Sequence, residues 1–183
     1  MNKKRICGLT CIIVIAGLII SGVVIVNLNS AEIVRDVVIH NPDGSTGTVF
    51  VVFRPGLTGF NEGVVNEFVR GLVDSDWRVE VTTSSSVTPT NVTGYNLIVL
   101  GSTTNGAKPH ASMLDYLTRV DFEGKPVVLI LTSGGIGGSG IDYFTNATTD
   151  ANGVILSTLQ FQIFEADAGS RAYTAGTEVS LEP

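Results

Sequence analysis

Apolar positions along the chain fall into three regimes. Residues 6–28 are dominated by Ile, Val, Leu, Gly and Ala and carry no charge. A polar stretch follows and closes on the turn cluster Asn41-Pro42-Asp43-Gly44-Ser45-Thr46-Gly47. From Thr48 onward, short apolar runs alternate with segments of helical spacing. The run 48–53, β-branched and aromatic, predicts a buried strand. Val64, Val65, Phe68, Val69, Leu72 and Val73 then recur at helical spacing and predict an amphipathic helix from about Asn61. Further strands are predicted over 78–83, 96–100, 126–131 and 153–165. Met113, Leu114, Leu117 and Val120 mark a second helix, with a weaker one over 141–151 and a short terminal one over 168–179. The segment between Thr83 and Tyr95 is rich in Ser, Thr and Pro and has no apolar period, so one crossover lacks a helix. Strands alternating with helices imply an α/β domain built on a parallel sheet with right-handed crossovers.

The 23 residues of 6–28 are long enough to cross a hydrocarbon core of about 30 Å as a helix. A cleavable leader has a shorter apolar region of roughly 7–15 residues, and Asn29-Ser30-Ala31 makes a poor exit site, so an uncleaved anchor is expected. Cys7 and Cys11 lie inside that run and do not frame a disulfide-stapled domain. Lys3, Lys4 and Arg5 precede the run, whereas Arg35 after it is offset by Glu32 and Asp36. The positive-inside rule then gives a single-pass membrane protein with a cytoplasmic N-terminus and an extracytoplasmic domain. The expected division is 1–5 cytoplasmic tip, 6–28 transmembrane anchor, 29–47 linker and 48–183 folded domain. Residues 33–40 fit a stalk or an extra strand and are read as linker, with His40 a solvated residue in it.

Composition sharpens this division. Mean hydropathy of +0.35 averages an anchor with a domain. Three of the eleven cations precede the apolar run and all seventeen acids follow it, so the remainder carries −9 against −6 for the whole chain. So acidic a domain excludes a nucleic-acid partner held by phosphate contacts. Two Cys and two His offer little for a metal site.

In an open parallel sheet, ligands bind beyond the carboxyl ends of the strands at the switch point of strand order. Three loops rich in Gly, Ser, Thr and Asn fall at such ends. The first, residues 54–61, holds Thr58, Gly59 and Asn61 and opens into a helix, whose start favours an anion. Asn61 there serves either as an anion donor or as the helix cap. The second holds Ser102, Thr103, Thr104, Asn105 and Gly106, and the third holds Thr132, Ser133, Gly134 and Gly135. No acid–base pair or nucleophile suited to turnover accompanies them. His110, just past the second loop, is expected as a solvated helix-start residue. Gly135-x-Gly137-x-x-Gly140 matches a dinucleotide fingerprint as a pattern, but it follows the fourth strand and reads as a turn. A phospho-receiver would need Asp where Gly101-Ser102 stands, and no P-loop motif occurs. Trp77, between Asp74, Asp76 and Glu80, is expected half-buried at an edge. Asn91-Val92-Thr93 and Asn146-Ala147-Thr148 are sequons.

Several of these stretches together resemble flavodoxin-like domains: Asn96 through Ser102, Gly106-Ala107-Lys108-Pro109, Leu114 to Leu117, and Phe122 through Gly135, in that order and spacing. The resemblance spans 48 to about 179. It implies a flavodoxin-like three-layer sandwich with a five-stranded parallel sheet in the order 2-1-3-4-5, here preceded by one N-terminal transmembrane helix. It also implies an FMN site at the three loops. Thr58 and Gly59 match the Thr-Gly of the family's phosphate loop, and Asn61 stands where a hydroxyl residue follows. Ser102 to Gly106 and Thr132 to Gly135 match the two loops flanking the flavin ring. The sequence departs from the family at Pro55-Gly56-Leu57, at Phe60, and in offering no aromatic at either flank. Two functions follow. One is an electron carrier that binds FMN and meets a redox partner protein. The other is a non-flavin interaction or binding module at the outer face of the membrane.

Overall fold

Strand β2 (Gly47–Phe53) sends successive side chains to opposite faces of a sheet, and both faces are covered. Val49, Val51 and Phe53 enter one core with Val65, Phe68 and Leu72, while Phe50 and Val52 enter the other with Met113, Tyr116 and Phe144. Burial on both sides is why this run reads as continuously apolar. The computed structural model describes Ile15 and residues 31–134 and 140–181. The chain divides into Met1–Ala31 and Glu32–Pro183, and the second unit carries the fold.

Among the described residues seven strands make the sheet: β1 (Val38–His40), β2, β3 (Trp77–Thr83), β4 (Leu97–Asn105), β5 (Lys108–Pro109), β6 (Pro126–Ser133) and β7 (Val154–Gln162). Their order is β1-β3-β2-β4-β6-β7, with β5 hydrogen-bonded to β4. The five from β3 to β7 along that path pair in parallel, which is the order 2-1-3-4-5 among themselves. The strand count of five is therefore corrected to seven: an antiparallel edge strand and a two-residue hairpin strand are added. Neither added strand carries a long apolar run: β1 has three residues and is exposed along its length, and β5 has two.

Helix α1 (Phe60–Asp74) covers one face together with α4 (Ala168–Thr177), and α2 (Ala111–Arg119) and α3 (Gly140–Asp150) contribute to the opposite core. The reversal of strand order after β2 places α1 and the later crossovers on opposite sides. The helixless crossover after β3 is closed by local bonds instead. Thr88 Oγ1 donates to the Thr83 carbonyl at 2.6 Å, and Arg119 reaches the Ser85 carbonyl at 2.6 Å. Val92 is buried and Tyr95 stacks on Phe50 with centroids 4.7 Å apart, so this segment closes its side of the sheet.

Three further expectations are corrected. The stretch 29–47 is not all linker, since β1 pairs with β3 in the register Val38↔Val81 and His40↔Val79. Thr83 Oγ1 donates to the Ile33 carbonyl (2.6 Å), Thr82 Oγ1 to that of Arg35 (2.8 Å), and Arg35 binds Glu62 through both guanidinium nitrogens. These polar ties leave no trace in an apolar pattern. Trp77 is fully buried, not half-buried, because the bare backbone of Gly47 on β2 makes room for its ring. Finally, β7 stops at Gln162, three residues early. Among the described residues no helix is long and apolar enough to cross a membrane, and the expected anchor lies, but for Ile15, outside them.

Candidate functional site

The carboxyl ends of β2, β4, β6 and β7 stand level, through the pairings Phe53↔Gly101, Thr103↔Thr132 and Ser133↔Gln162. The described residues of the three candidate loops follow these strand ends.

The first loop leaves β2 at Arg54, whose amide donates to the Gly101 carbonyl at 2.8 Å. The Arg54 carbonyl accepts from Asn61 Nδ2 at 2.6 Å, and Asn61 Oδ1 accepts from Thr132 Oγ1 at 3.1 Å. Asn61 and Thr132 are both buried. Asn61 thus fastens the end of β2 to the end of β6. It does not cap α1, because the cap position is Gly59, and its Nδ2 gives one hydrogen bond to the Arg54 carbonyl. Gly59 takes that position with φ 71, and a Cβ there would meet nothing, so the need is conformational. No side chain caps α1; Thr58 is exposed, and its hydroxyl accepts from the Phe60 amide at a long 3.4 Å. This start of α1 carries the partial positive charge of a helix N-terminus.

Sequence reasoning assigned no role to Arg54, yet it is the cation of this loop. Its side chain is buried, and that burial pushes the guanidinium below its ordinary pKa. Glu62, in the first turn of α1, is held below the usual carboxylate range by the hydrogen bonds from Arg35.

The second loop is a hairpin. Strand β4 runs on to Asn105 and turns at Gly106 and Ala107, with φ 58 and 64, to pair with β5. Two successive positive φ values make a type I′ turn. Ser102 is buried, its Oγ donating to the Thr103 carbonyl and accepting from the His110 amide, each at 3.0 Å. His110 is buried rather than solvated, and its Nδ1 caps α2 by accepting from the Ser112 amide at 3.2 Å. Thr103, Thr104, Asn105 and Gly106 retain exposure.

Of the third loop, Thr132 is committed to Asn61, Ser133 is half-buried and Gly134 is exposed. Gly135 lies outside the described residues, as does most of the Gly135-x-Gly137-x-x-Gly140 turn.

The three loops do meet. A Cβ on Gly56 would lie 2.9 Å from Thr103 Cγ2, so the first and second are in contact. Thr104 and Ser133 line a crevice of about 520 Å³ shared with Leu131, Gln160, Phe161 and Phe164. Gln160 and Phe161 come from the end of β7 and Phe164 from the turn after it, which sequence reasoning missed because 153–165 read as unbroken strand. A turn with neither Gly nor Pro interrupts it, closed by the Glu165 amide to the Gln162 carbonyl at 3.0 Å. Among the described residues no group of His, Cys, Asp and Glu is placed to hold a metal ion. The crevice offers the hydroxyls of Thr104 and Ser133, the side-chain amides of Gln160 and Gln162, the rings of Phe161 and Phe164, and the Glu165–Arg171 ion pair.

No protein-family description matches the chain, and no curated protein matches it. Solved structures do. A two-electron reduced flavodoxin from Megasphaera elsdenii aligns at 22% identity and TM-score 0.59, covering 72% of this chain and 99% of its own. Oxidised Flavodoxin 1 from Bacillus cereus aligns at 15% identity and TM-score 0.61, covering 73% and 99%. A Fusobacterium nucleatum flavodoxin bound to flavin mononucleotide aligns at 19% identity and TM-score 0.58, covering 73% and 96%. At such identities the likeness is one of architecture: the domain has the flavodoxin fold.

Proposed function

We propose that the domain binds FMN across the carboxyl ends of β2, β4 and β6 and serves as an electron carrier. The observation that carries this reading is that three polar loops meet pairwise at the carboxyl ends of a 2-1-3-4-5 sheet, Gly56 against Thr103, Asn61 against Thr132, and Thr104 with Ser133 on one crevice. The Fusobacterium relative of the same fold holds flavin mononucleotide, which supports the choice of ligand. Thr58, Gly59 and the start of α1 would receive the phosphate, with the buried charge of Arg54 behind them. Thr103, Thr104, Asn105 and Gly106 would flank the ring on one side, and Ser133, Gly134 and Gly135 on the other. Asn61, Ser102 and Thr132 act as positioning residues that hold the loops in register. When bound, the flavin supplies the redox chemistry, while the chain binds it, orients it and excludes water.

The remaining parts of the proposal are topological and electrostatic. Residues 6–28 anchor the chain in a membrane with the domain on the extracytoplasmic side, as the flanking charges argue. A remainder at −9 is suited to docking a basic redox partner. One observation favours the second reading, a flavin-free interaction module: Asn61 and Thr132 are committed to one another.

The test is an FMN titration of the full chain in detergent, followed by absorbance and flavin fluorescence. A shifted visible spectrum with quenched fluorescence supports the carrier. No change at high micromolar FMN sinks it and leaves the interaction module. Topology is read separately by protease treatment of intact cells: a domain that stays protected while an exterior marker is cut refutes the orientation.

A further inference from the structure

The chain carries two sequons, Asn91-Val92-Thr93 and Asn146-Ala147-Thr148, and the fold treats them in opposite ways. A glycan joins a folded protein only where the asparagine amide and the hydroxyl two residues on both face solvent, which in practice means a surface loop. The second sequon fails this condition. Asn146 is exposed but lies inside α3, and Thr148 is 0% exposed, so close to Gly153 that a Cβ there would fall 2.8 Å from its Cγ2. The first sequon lies in the helixless crossover between β3 and β4, in neither helix nor strand. Its middle residue, Val92, is 0% exposed and ties the segment to the core of Phe50 and Tyr116, while Asn91 and Thr93 on either side are exposed. The Thr93 amide donates to Asn91 Oδ1 at 3.0 Å, closing an Asx turn. This turn uses the carboxamide oxygen and leaves Asn91 Nδ2 and the Thr93 hydroxyl without protein partners among the described residues.

Space and location agree with these contacts. Asn91 and Thr93 border a recess of about 410 Å³ together with Thr48, Arg78, Glu80 and Tyr95, whose polar groups suit the hydroxyls of a sugar. Thr48 and Arg78 stand at the amino ends of β2 and β3, so the recess lies at the end of the sheet opposite the three candidate loops. A bulky group attached here leaves those loops open. We propose that Asn91 is an N-glycan acceptor of the folded domain and that Asn146 is not, an assignment that rests on the extracytoplasmic placement proposed above. In the transfer, Asn91 Nδ2 forms a bond to the anomeric carbon of a lipid-linked oligosaccharide. The bond from that carbon to the lipid phosphate breaks, the lipid phosphate leaves with the electron pair, and one Nδ2 proton passes to a base of the transferase.

The test expresses the full chain in a single-membrane prokaryotic host that attaches N-glycans to exterior Asn-x-Ser/Thr sites. Gel mobility before and after enzymatic deglycosylation reads the modification, and mass spectrometry of the two sequon peptides places it. The parent should carry one glycan, on Asn91. Asn91→Gln and Thr93→Ala should abolish it, whereas Asn146→Gln and Thr93→Ser, which keeps the hydroxyl, should retain it. Protease treatment of the same intact cells reads the topology independently. A domain that is cut from outside yet is unmodified at Asn91, or carries its glycan on Asn146 instead, overturns the assignment and leaves the exterior placement standing. A domain that stays protected while an exterior marker is cut overturns the placement and the assignment together, so the two failures are distinct.

Discussion

Replacing glycine by alanine inside a helix normally stabilises it by about 0.5–1 kcal/mol, yet on helix α1 two such replacements should have opposite signs. At Gly63 an added Cβ meets nothing within 4 Å. At Gly71 it would fall 2.3 Å from the Tyr173 carbonyl oxygen and 2.8 Å from the Thr177 amide nitrogen, both backbone atoms of α4. Gly176 faces the same crossing, where a Cβ would sit 2.2 Å from the Phe68 carbonyl oxygen. Real contacts stay beyond 3.0 Å, so Gly71→Ala must push α1 and α4 apart by roughly 1 Å, enough to forfeit about a quarter to a half of each dispersion contact between them. Phe68, Ala168 and Ala172 lose partners at once, since all are buried in that core. Overpacking costs about 1–3 kcal/mol, and with backbone on both sides neither element can turn a rotamer aside. Offset by the helix-propensity gain, the net expectation for Gly71→Ala is a loss of about 2 kcal/mol, against a gain of about 0.5–1 for Gly63→Ala. Trp77 is the only tryptophan and lies in the same core, so its fluorescence reports urea unfolding without a label. A loss of 2 kcal/mol moves the midpoint down by about 1 M for an ordinary urea slope. If Gly71→Ala proves neutral or stabilising, the close crossing of α1 and α4 is wrong.

Two other expectations can be read with the same reporter or with amide exchange. Asn61→Ala removes two buried hydrogen bonds and strands the Arg54 carbonyl and the Thr132 hydroxyl, which should cost about 2–4 kcal/mol; a loss below about 0.5 kcal/mol would mean these ties are not formed, since a single net bond is worth that much. Glu62 has a folded pKa depressed below its ordinary 4.5 by Arg35, so the tether contributes above that pH and is lost as pH falls through the lower folded value. Both partners are partly exposed, so the effect is small and local: protection of β1 amides, relative to intrinsic exchange at each pH, should be lower well below pH 4.5 than at pH 6, and a protection ratio indifferent to Glu62→Gln would refute the link.

Legibility in the sequence followed burial. The strands buried on both faces, β2, β4 and β6, announce themselves as apolar runs, and α1 by its 3.6-residue stripe, because those patterns are what two hydrophobic cores demand. The missing helix between Thr83 and Tyr95 was equally visible, as an absence of any period. Strand β1 was less so: a short exposed run such as 33–40 fits a stalk and a strand alike, and its backbone pairing with β3 decides between them.

The site divides along the same line. Local chain chemistry placed Gly-, Ser- and Thr-rich loops after the right strands, which local sequence can do because turns are made by neighbours. It could not decide which of their polar groups face a ligand, since that depends on partners far away in the chain. Asn61 meets Thr132 across 71 residues, and Ser102 meets His110 across eight, and both pairs withdraw side chains that composition alone would have offered to a ligand. Phe164 shows the converse: its turn carries no glycine or proline to betray it, and only the packing of β7 beside β6 brings its ring to the crevice. The sequence by itself determined the architecture and the end of the sheet where chemistry belongs, through hydrophobic periodicity and turn propensity. Tertiary structure alone decided which atoms remain free there, because hydrogen bonds and exposure are properties of residues brought together by folding.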